Sequence, residues 1–202
     1  AQLSRGLGDV YKRQITGIAP EARLYMQATE VYTDWTTAAE NNFGYTDDYT
    51  LMGIPDDLST MFNDAAINGS HIHTNSWGAP VAGQYNTNAM QADHSARNHS
   101  GMLILFAAGN SGVDSNSDGE VDDDSIGSPA TSKNVLTVGA SENDRGTQIT
   151  SEWGQWWPGD YPTDPINSDR IANNTQGMAA FSSREPVAVS YTHLTLPTIG
   201  CV

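Results

Sequence analysis

An asparagine amide follows a continuous apolar run in the middle of the chain. Residues 102–106 are typical of a strand buried on both faces of a parallel sheet, and Asn110 comes after them behind small residues. Open parallel sheets bind ligands at the carboxyl ends of their strands, so this amide could donate a hydrogen bond to a bound group. Asn-Ser-Gly is also common turn chemistry, which leaves a purely structural role as the alternative.

Two more segments of small residues are expected at the same edge of the sheet. Residues 75–78 (Asn-Ser-Trp-Gly) end one predicted strand, and residues 127–129 (Gly-Ser-Pro) precede another. Glycine and other small residues let the backbone approach a ligand closely. Together with residues 107–110, these segments predict a slot for an extended peptide.

The acidic segment after Gly112 has the spacing of a calcium-binding loop. Oxygen-bearing side chains occupy relative positions 1, 3, 5 and 9, and a glycine at position 6 allows the sharp turn of EF-hand-like loops. Ser125 stands where the usual glutamate would be, so the carboxylates of residues 122–124 would have to compensate. A solvated acidic loop is the alternative, but the alternation and the glycine favour structural calcium. The candidate ligands are Asp114, Asn116, Asp118, Glu120 and Asp122.

The histidines favour structural roles. His71 and His73 would share one face of a strand, which could suit a metal, although a strand face near solvent is the simpler interpretation. His94 and His99 are five residues apart on a predicted helix, whereas paired ligands are four apart. None of the histidines, His193 included, is predicted to be catalytic.

Alternating strands and helices are predicted to position these segments. The helix at residues 56–68 is the clearest, because its apolar residues recur on one face. The alternation predicts an α/β fold with a doubly wound parallel sheet. The predicted strands are residues 22–28, 71–76, 102–106, 135–140 and 179–183, with a second helix at residues 87–100.

Two longer segments interrupt this alternation. Residues 29–54 are predicted to be a long surface loop or insertion. Residues 141–178 are predicted to be a wide insertion whose tryptophans pack it down rather than bind a ligand.

Composition excludes several classes of function. A formal charge of -15 and a pI near 4.3 oppose binding to nucleic acid, because the phosphate backbone would be repelled. No apolar run approaches the roughly 20 residues of a membrane span, so no membrane partner is expected. One cysteine, Cys201, cannot form a disulfide within the chain.

Five blocks in order carry a resemblance to the subtilisin-like serine proteases (subtilases). They are GIAPEARLYMQ, HTNSWGAP, ILFAAGNSG, GSPATSKNVLTVGAS and AAFSSR, and they cover residues 17–184. The chain most resembles the large secreted bacterial alkaline type. The resemblance implies a secreted monomer that acts on a peptide or protein substrate, with Asn110 as the oxyanion-hole donor. It also implies a specificity pocket with two backbone walls, Ser76, Trp77 and Gly78 on one side and Ala107, Ala108 and Gly109 on the other, with Gly127 near its floor.

The catalytic triad of the family is not found in the sequence. Subtilases carry Asp, His and Ser in that order, but no HGT or GTS motif occurs here, and Glu185 follows FSSR where the family has glycine. We therefore expect the central fragment of a secreted serine endopeptidase, inactive as given. A calcium-stabilised, non-catalytic peptide-binding α/β module is the alternative. Residues 15–184 are the expected partial catalytic domain, and residues 1–14 and 185–202 are expected to be non-native tails.

Overall fold

We describe the protein from a computed structural model that covers residues 19–184. The expected tails at residues 1–14 and 185–202 lie outside this range. In chain order the elements are β1 (Val31–Thr33), α1 (Thr37–Phe43), β2 (Asp48–Thr50), α2 (Ser59–Ile67), β3 (Ile72–Asn75), α3 (Thr87–Asn98), β4 (Leu103–Ala107), β5 (Leu136–Val138) and α4 (Trp153–Trp156).

The larger sheet is parallel, with the order β3-β4-β5. Asn75 is in register with Phe106, and Ala107 with Val138, so the carboxyl ends of the three strands lie at one edge. The predicted α/β fold with a parallel sheet is confirmed. This register brings the loops that follow β3 and β4 together.

Helices α2 and α3 pack on one face of this sheet. Phe62 of α2 contacts Phe106 edge to face, with ring centroids 6.4 Å apart. The apolar face predicted for residues 56–68 is therefore the face that enters the core. The buried cluster consists of Leu58, Met61, Phe62, Ala65, Ala92, Met102, Ile104, Phe106, Ala108, Ile126 and Ala130.

The opposite face of the sheet is uncovered within residues 19–184. Ile72, Leu103 and Val138 lie on this face and are exposed.

No helix within residues 19–184 has the length and apolar character needed to cross a membrane.

Of the three tryptophans predicted to pack the segment 141–178 down, Trp153 is buried, whereas Trp156 and Trp157 are exposed. Trp153 is only 3% exposed and contacts the rings of Trp157, Tyr161 and Phe181 at 5.6–6.0 Å. A second cluster forms around it, from Val121, Trp153, Tyr161, Ala179 and Ala180. Trp156, on the far side of α4, stays exposed.

Two strand predictions are wrong. Residues 22–28 run extended along α2 but enter no ladder, and Leu24 and Met26 are exposed. Side chains hold this segment instead, since Gln27 Nε2 donates to the carbonyl of Met61 at 2.9 Å. Residues 179–183 form turns. These residues are buried because they contact two loops. The sequence pattern cannot distinguish burial by loops from burial in a sheet.

Residues 29–54, predicted to be a long surface loop or insertion, are mostly exposed and contain short elements of secondary structure that the sequence analysis did not predict. Strands β1 and β2 pair antiparallel and flank α1. Thr36 caps α1 by accepting the Ala39 N–H at 3.3 Å, and Gly44 ends it in the left-handed conformation. The alternation signal is weak here because each strand is three residues long.

Candidate peptide-binding and oxyanion site

The three predicted site segments meet at the carboxyl edge of the sheet. Ala79 and Ser128 exchange two backbone hydrogen bonds, each 2.9 Å long. Gly127 N–H donates to the carbonyl of Ala108 at 2.9 Å. Residues 127–128 therefore join the loop after β3 to the loop after β4.

Asn110 lies at the exposed lip of this arrangement. Its neighbours are held in place, because Ser183 N–H donates to the Gly109 carbonyl at 3.0 Å and Ser111 N–H donates to Ser183 Oγ at 3.0 Å. Gly109 has φ +117°, a conformation that L side chains rarely adopt. The Asn110 amide has no hydrogen-bond partner among residues 19–184, so it is available to a ligand.

The walls of the predicted pocket are backbone. Trp77 turns its ring towards Phe106, with centroids 5.3 Å apart at 88°, so its side chain belongs to the core. Ser76, Gly78 and Ala107 are exposed and Ala108 is buried. Their small size leaves the edge open.

Buried Gly127 lies between the two walls. A Cβ on Gly127 would lie 3.0 Å from the carbonyl oxygen of Ala79, and one on Gly78 would lie 2.9 Å from that of Ser128. Both positions therefore require glycine for close backbone packing.

Sequence reasoning missed the residues that support this edge. Ser183 is buried and fixes the loop around Asn110. Ser182 Oγ accepts the Ala140 N–H at 3.1 Å, and Ser128 Oγ donates to the α3 cap residue Asn86 at 2.5 Å. Consecutive small polar residues in AAFSSR were the available signal, but their contacts are non-local.

A buried carboxylate fixes the loop that carries residues 127–134. Asp93 of α3 accepts the backbone N–H groups of Lys133 and Asn134 at 2.8 and 2.6 Å. It also accepts the Tyr85 hydroxyl at 2.8 Å, and burial together with this carboxylate raises the pKa of Tyr85 to about 12. These hydrogen bonds therefore attach the loop of residues 127–134 to α3.

Comparisons with known proteins place this geometry in a family. A model of the subtilase family matches residues 7–197. The chain belongs to the subtilase family. This subtilase is 30% identical over 148 residues to the PIII-type proteinase of Lactococcus lactis subsp. cremoris (strain SK11) and to the PII-type proteinase of Lacticaseibacillus paracasei. In both cases the match covers 69% of this chain and 7% of the relative.

A solved structure is also similar to this subtilase. The prenylagaramide maturation protease PagA matches 50% of this chain and 31% of its own, at 25% identity and a TM-score of 0.33.

The acidic loop of this subtilase is closed by its own hydrogen bonds. Asp114 is 1% exposed, and its two carboxylate oxygens accept the N–H groups of Asp118 and Gly119 at 3.0 and 3.1 Å. Asp118 Oδ1 accepts the Glu120 N–H at 2.9 Å, and Asp122 Oδ2 accepts the N–H of Ser115 at 2.7 Å. Over residues 19–184, no three His, Cys, Asp or Glu side chains are grouped so as to hold a metal ion.

Arg184 lies at the end of the acidic loop and is hydrogen-bonded to it through its backbone. Ser125 N–H donates to the Arg184 carbonyl, and Arg184 N–H donates to Ser125 Oγ, at 3.0 and 2.8 Å. Burial lowers the pKa of the Arg184 guanidinium, whereas Asp123, Tyr161 and Glu120 act in the opposite direction. The half-buried guanidinium has no hydrogen-bond partner for its Nε among the described residues.

His73 belongs to a hydrogen-bond network. Its Nε2 lies 2.8 Å from Gln27 Oε1, and its Nδ1 lies 3.0 Å from Asn75 Nδ2. Asn75 Nδ2 also donates to the Leu105 carbonyl at 3.0 Å, so it presents a donor to His73 Nδ1. Burial lowers the pKa of His73. His71 has a different contact, with its Nδ1 3.4 Å from the carbonyl oxygen of Gly101.

Acid should therefore destabilise the fold through His73. The pKa of His73 is lower in the folded state than in the unfolded state, where it is about 6.5. Between these two pKa values the unfolded state therefore binds more protons than the folded state. Stability is full above about pH 6.5 and falls as pH drops through the folded pKa. Urea unfolding of the full chain between pH 5 and 8 measures this, with His73→Gln expected to flatten the slope. His71→Gln is the matched control, and a slope unchanged in His73→Gln would contradict the assignment.

Proposed function

We propose that this chain is the central part of a secreted subtilisin-like serine endopeptidase, in which it supplies the oxyanion donor and the specificity slot. One observation carries the proposal. Asn110 is exposed and has no hydrogen-bond partner among the described residues, and the segments 76–79, 107–109 and 127–128 predicted to form the slot meet next to it. The family membership supports the reaction class.

The slot suits an extended peptide whose scissile carbonyl lies next to Asn110. In a serine peptidase the nucleophile attacks the carbonyl carbon, a histidine takes the serine proton, and negative charge develops on the carbonyl oxygen. The side-chain amide of Asn110 would donate a hydrogen bond to this oxygen. Because the hydrogen bonds of Ser183 fix the loop in advance, the donor needs little reorganisation during the reaction.

Nucleophile, base and orienting acid would come from other parts of the intact protein. The 202 residues contain no HGT or GTS motif. We therefore propose that the chain alone does not hydrolyse peptide bonds.

Activity-based labelling tests both parts of this proposal. A fluorophosphonate probe should label one serine of the intact protein and block its hydrolysis of denatured casein. The 202-residue chain should neither react nor hydrolyse casein. An intact protein that lacks the triad motifs but binds peptides would be the non-catalytic module, and labelling of the chain itself would refute its inactivity.

Calcium at the acidic loop is a proposal that rests on the spacing of its oxygens. If the loop binds calcium only when folded, the ion stabilises the fold, by about 2.7 kcal/mol at 100 times the Kd. Calorimetry of the full chain should show a higher Tm at millimolar calcium than in chelator. Asp118→Asn should remove the shift, with Asp144→Asn as the control, and a Tm independent of calcium would show that the loop needs no ion.

A further inference from the structure

The segment at residues 30–52, here called the aromatic arm, exposes a row of aromatic rings. Tyr32 and Tyr49 meet edge to face at 5.6 Å, and Tyr45 contacts Trp35 at 4.5 Å and Phe43 at 5.7 Å. Phe43 is 71% exposed and Tyr49 is 65% exposed. No residue of the arm belongs to either buried core cluster of the described chain. Exposed aromatic surface of this extent typically marks an interaction site.

Hydrogen bonds set the shape of the arm before any partner binds. Asp47 accepts the backbone N–H of Trp35 at 2.8 Å, which ties the two ends of the α1 segment together. Thr33 and Thr50 are joined by their hydroxyl groups across β1 and β2. A preorganised surface loses little conformational entropy on binding.

The stretch of sequence that contains these rings carries charge of a single sign. From residue 24 to residue 64 the chain contains no Lys or Arg. Cations are attracted to aromatic faces and to carboxylates, whereas a neutral or acidic partner would leave these charges uncompensated. The acidic residues of this stretch are Glu30, Asp34, Glu40, Asp47, Asp48, Asp56, Asp57 and Asp64.

A shallow groove continues the surface at the base of the arm. It has a volume of about 370 Å³ and is lined by residues 25–29 and by Gly53, Met61 and Asp64, among others. Asp64 accepts the Tyr25 hydroxyl at 2.7 Å, and its hydrogen bonds to Tyr25 and Gln27 keep its pKa low. The groove therefore has an anionic group at its edge.

We propose that the aromatic arm and this groove bind an extended, Lys- or Arg-rich segment of a partner protein. The ammonium or guanidinium groups contact ring faces and carboxylates, and the groove accommodates the adjoining chain. This binding does not require proteolysis.

Peptide binding to the full chain tests the proposal. A fluorescent capped decapeptide of alternating Lys and Ser should bind at least about ten times tighter than its Glu-for-Lys counterpart, and added salt should weaken it. The double variant Phe43→Ser with Tyr45→Ser should weaken binding at least about tenfold. Trp156→Ala is the control, because Trp156 is 64% exposed, between Phe43 at 71% and Tyr45 at 47%, but lies on α4.

A second pair of variants separates the arm from the general acidity of the chain. Asp34→Asn with Glu40→Gln should weaken Lys-peptide binding, whereas Asp144→Asn with Glu152→Gln, which removes the same charge outside the arm, should not. Equal losses in the two pairs would overturn the site. So would binding of a neutral polysaccharide in place of the peptide, or a dimer of the chain that the Phe43 and Tyr45 variant dissociates.

Discussion

Replacing Asn110 with alanine is expected to lower kcat of the intact endopeptidase proposed above by about 10²–10³, or about 3–4 kcal/mol of barrier, with little change in KM. This magnitude is that of the corresponding asparagine in subtilisin, a member of the same family, and is not calculated from the present geometry. The physical reason is that charge on the carbonyl oxygen is fully developed only in the transition state. Loss of the donor therefore raises the free energy of the transition state more than that of the bound substrate.

Steady-state kinetics on a peptide substrate measure this effect. Asn174→Ala is the matched control, because Asn174 is an exposed loop asparagine whose side chain accepts the Gln176 N–H of its own loop. Asn110→Asp should be at least as slow as Asn110→Ala, since a carboxylate presents no donor and repels the oxyanion. An unchanged kcat in Asn110→Ala would show that Asn110 does not donate to the oxyanion.

Replacing Gly112 with alanine destabilises the fold by about 3 kcal/mol. Its Cβ would overlap the carbonyl oxygen of Ala180, lie 2.6 Å from that of Ser182 and lie 3.0 Å from the carbonyl carbon of Phe181. These are backbone atoms, which cannot move aside as a flexible side chain can. The Gly112 N–H also donates to the Phe181 carbonyl at 3.0 Å, so the clash separates the segment that supports Asn110.

Urea unfolding of the full chain measures this loss as a lower midpoint. Gly101→Ala is the control, because a Cβ there meets open space, and its stability should change by less than about 0.5 kcal/mol. Equal midpoints for the two variants would mean that residues 180–183 do not pack against the loop after β4.

The carbonyl of Gly112 is held by a second contact, from the buried Tyr161 hydroxyl. Tyr161 donates to the carbonyl of Gly112 at 3.0 Å. Burial, with a smaller contribution from Asp160, raises the pKa of Tyr161 to about 12. The hydroxyl therefore stays protonated at neutral pH and keeps this donor. The insertion at residues 141–178 thus stabilises the site edge without lining the slot.

The amino-acid sequence by itself determined the parts of this subtilase that depend on local pattern. Apolar spacing predicts α2, and continuous apolar residues predict β4, because each pattern reports which side of its own element is buried. The blocks around Asn110, Ser76 and Gly127 identify the site edge because parallel strands must end together. Glycine and alanine at that edge follow from the need for close backbone approach.

Tertiary structure decided what depends on a distant partner. Residues 22–28 have the alternation of a strand but no ladder partner, and residues 179–183 are buried between loops without forming a strand. Ser183 contacts Gly109 and Ser111 across more than 70 positions of sequence. Periodicity carries no information about such contacts, because a buried side chain looks the same in sequence whether a sheet, a helix or a loop covers it.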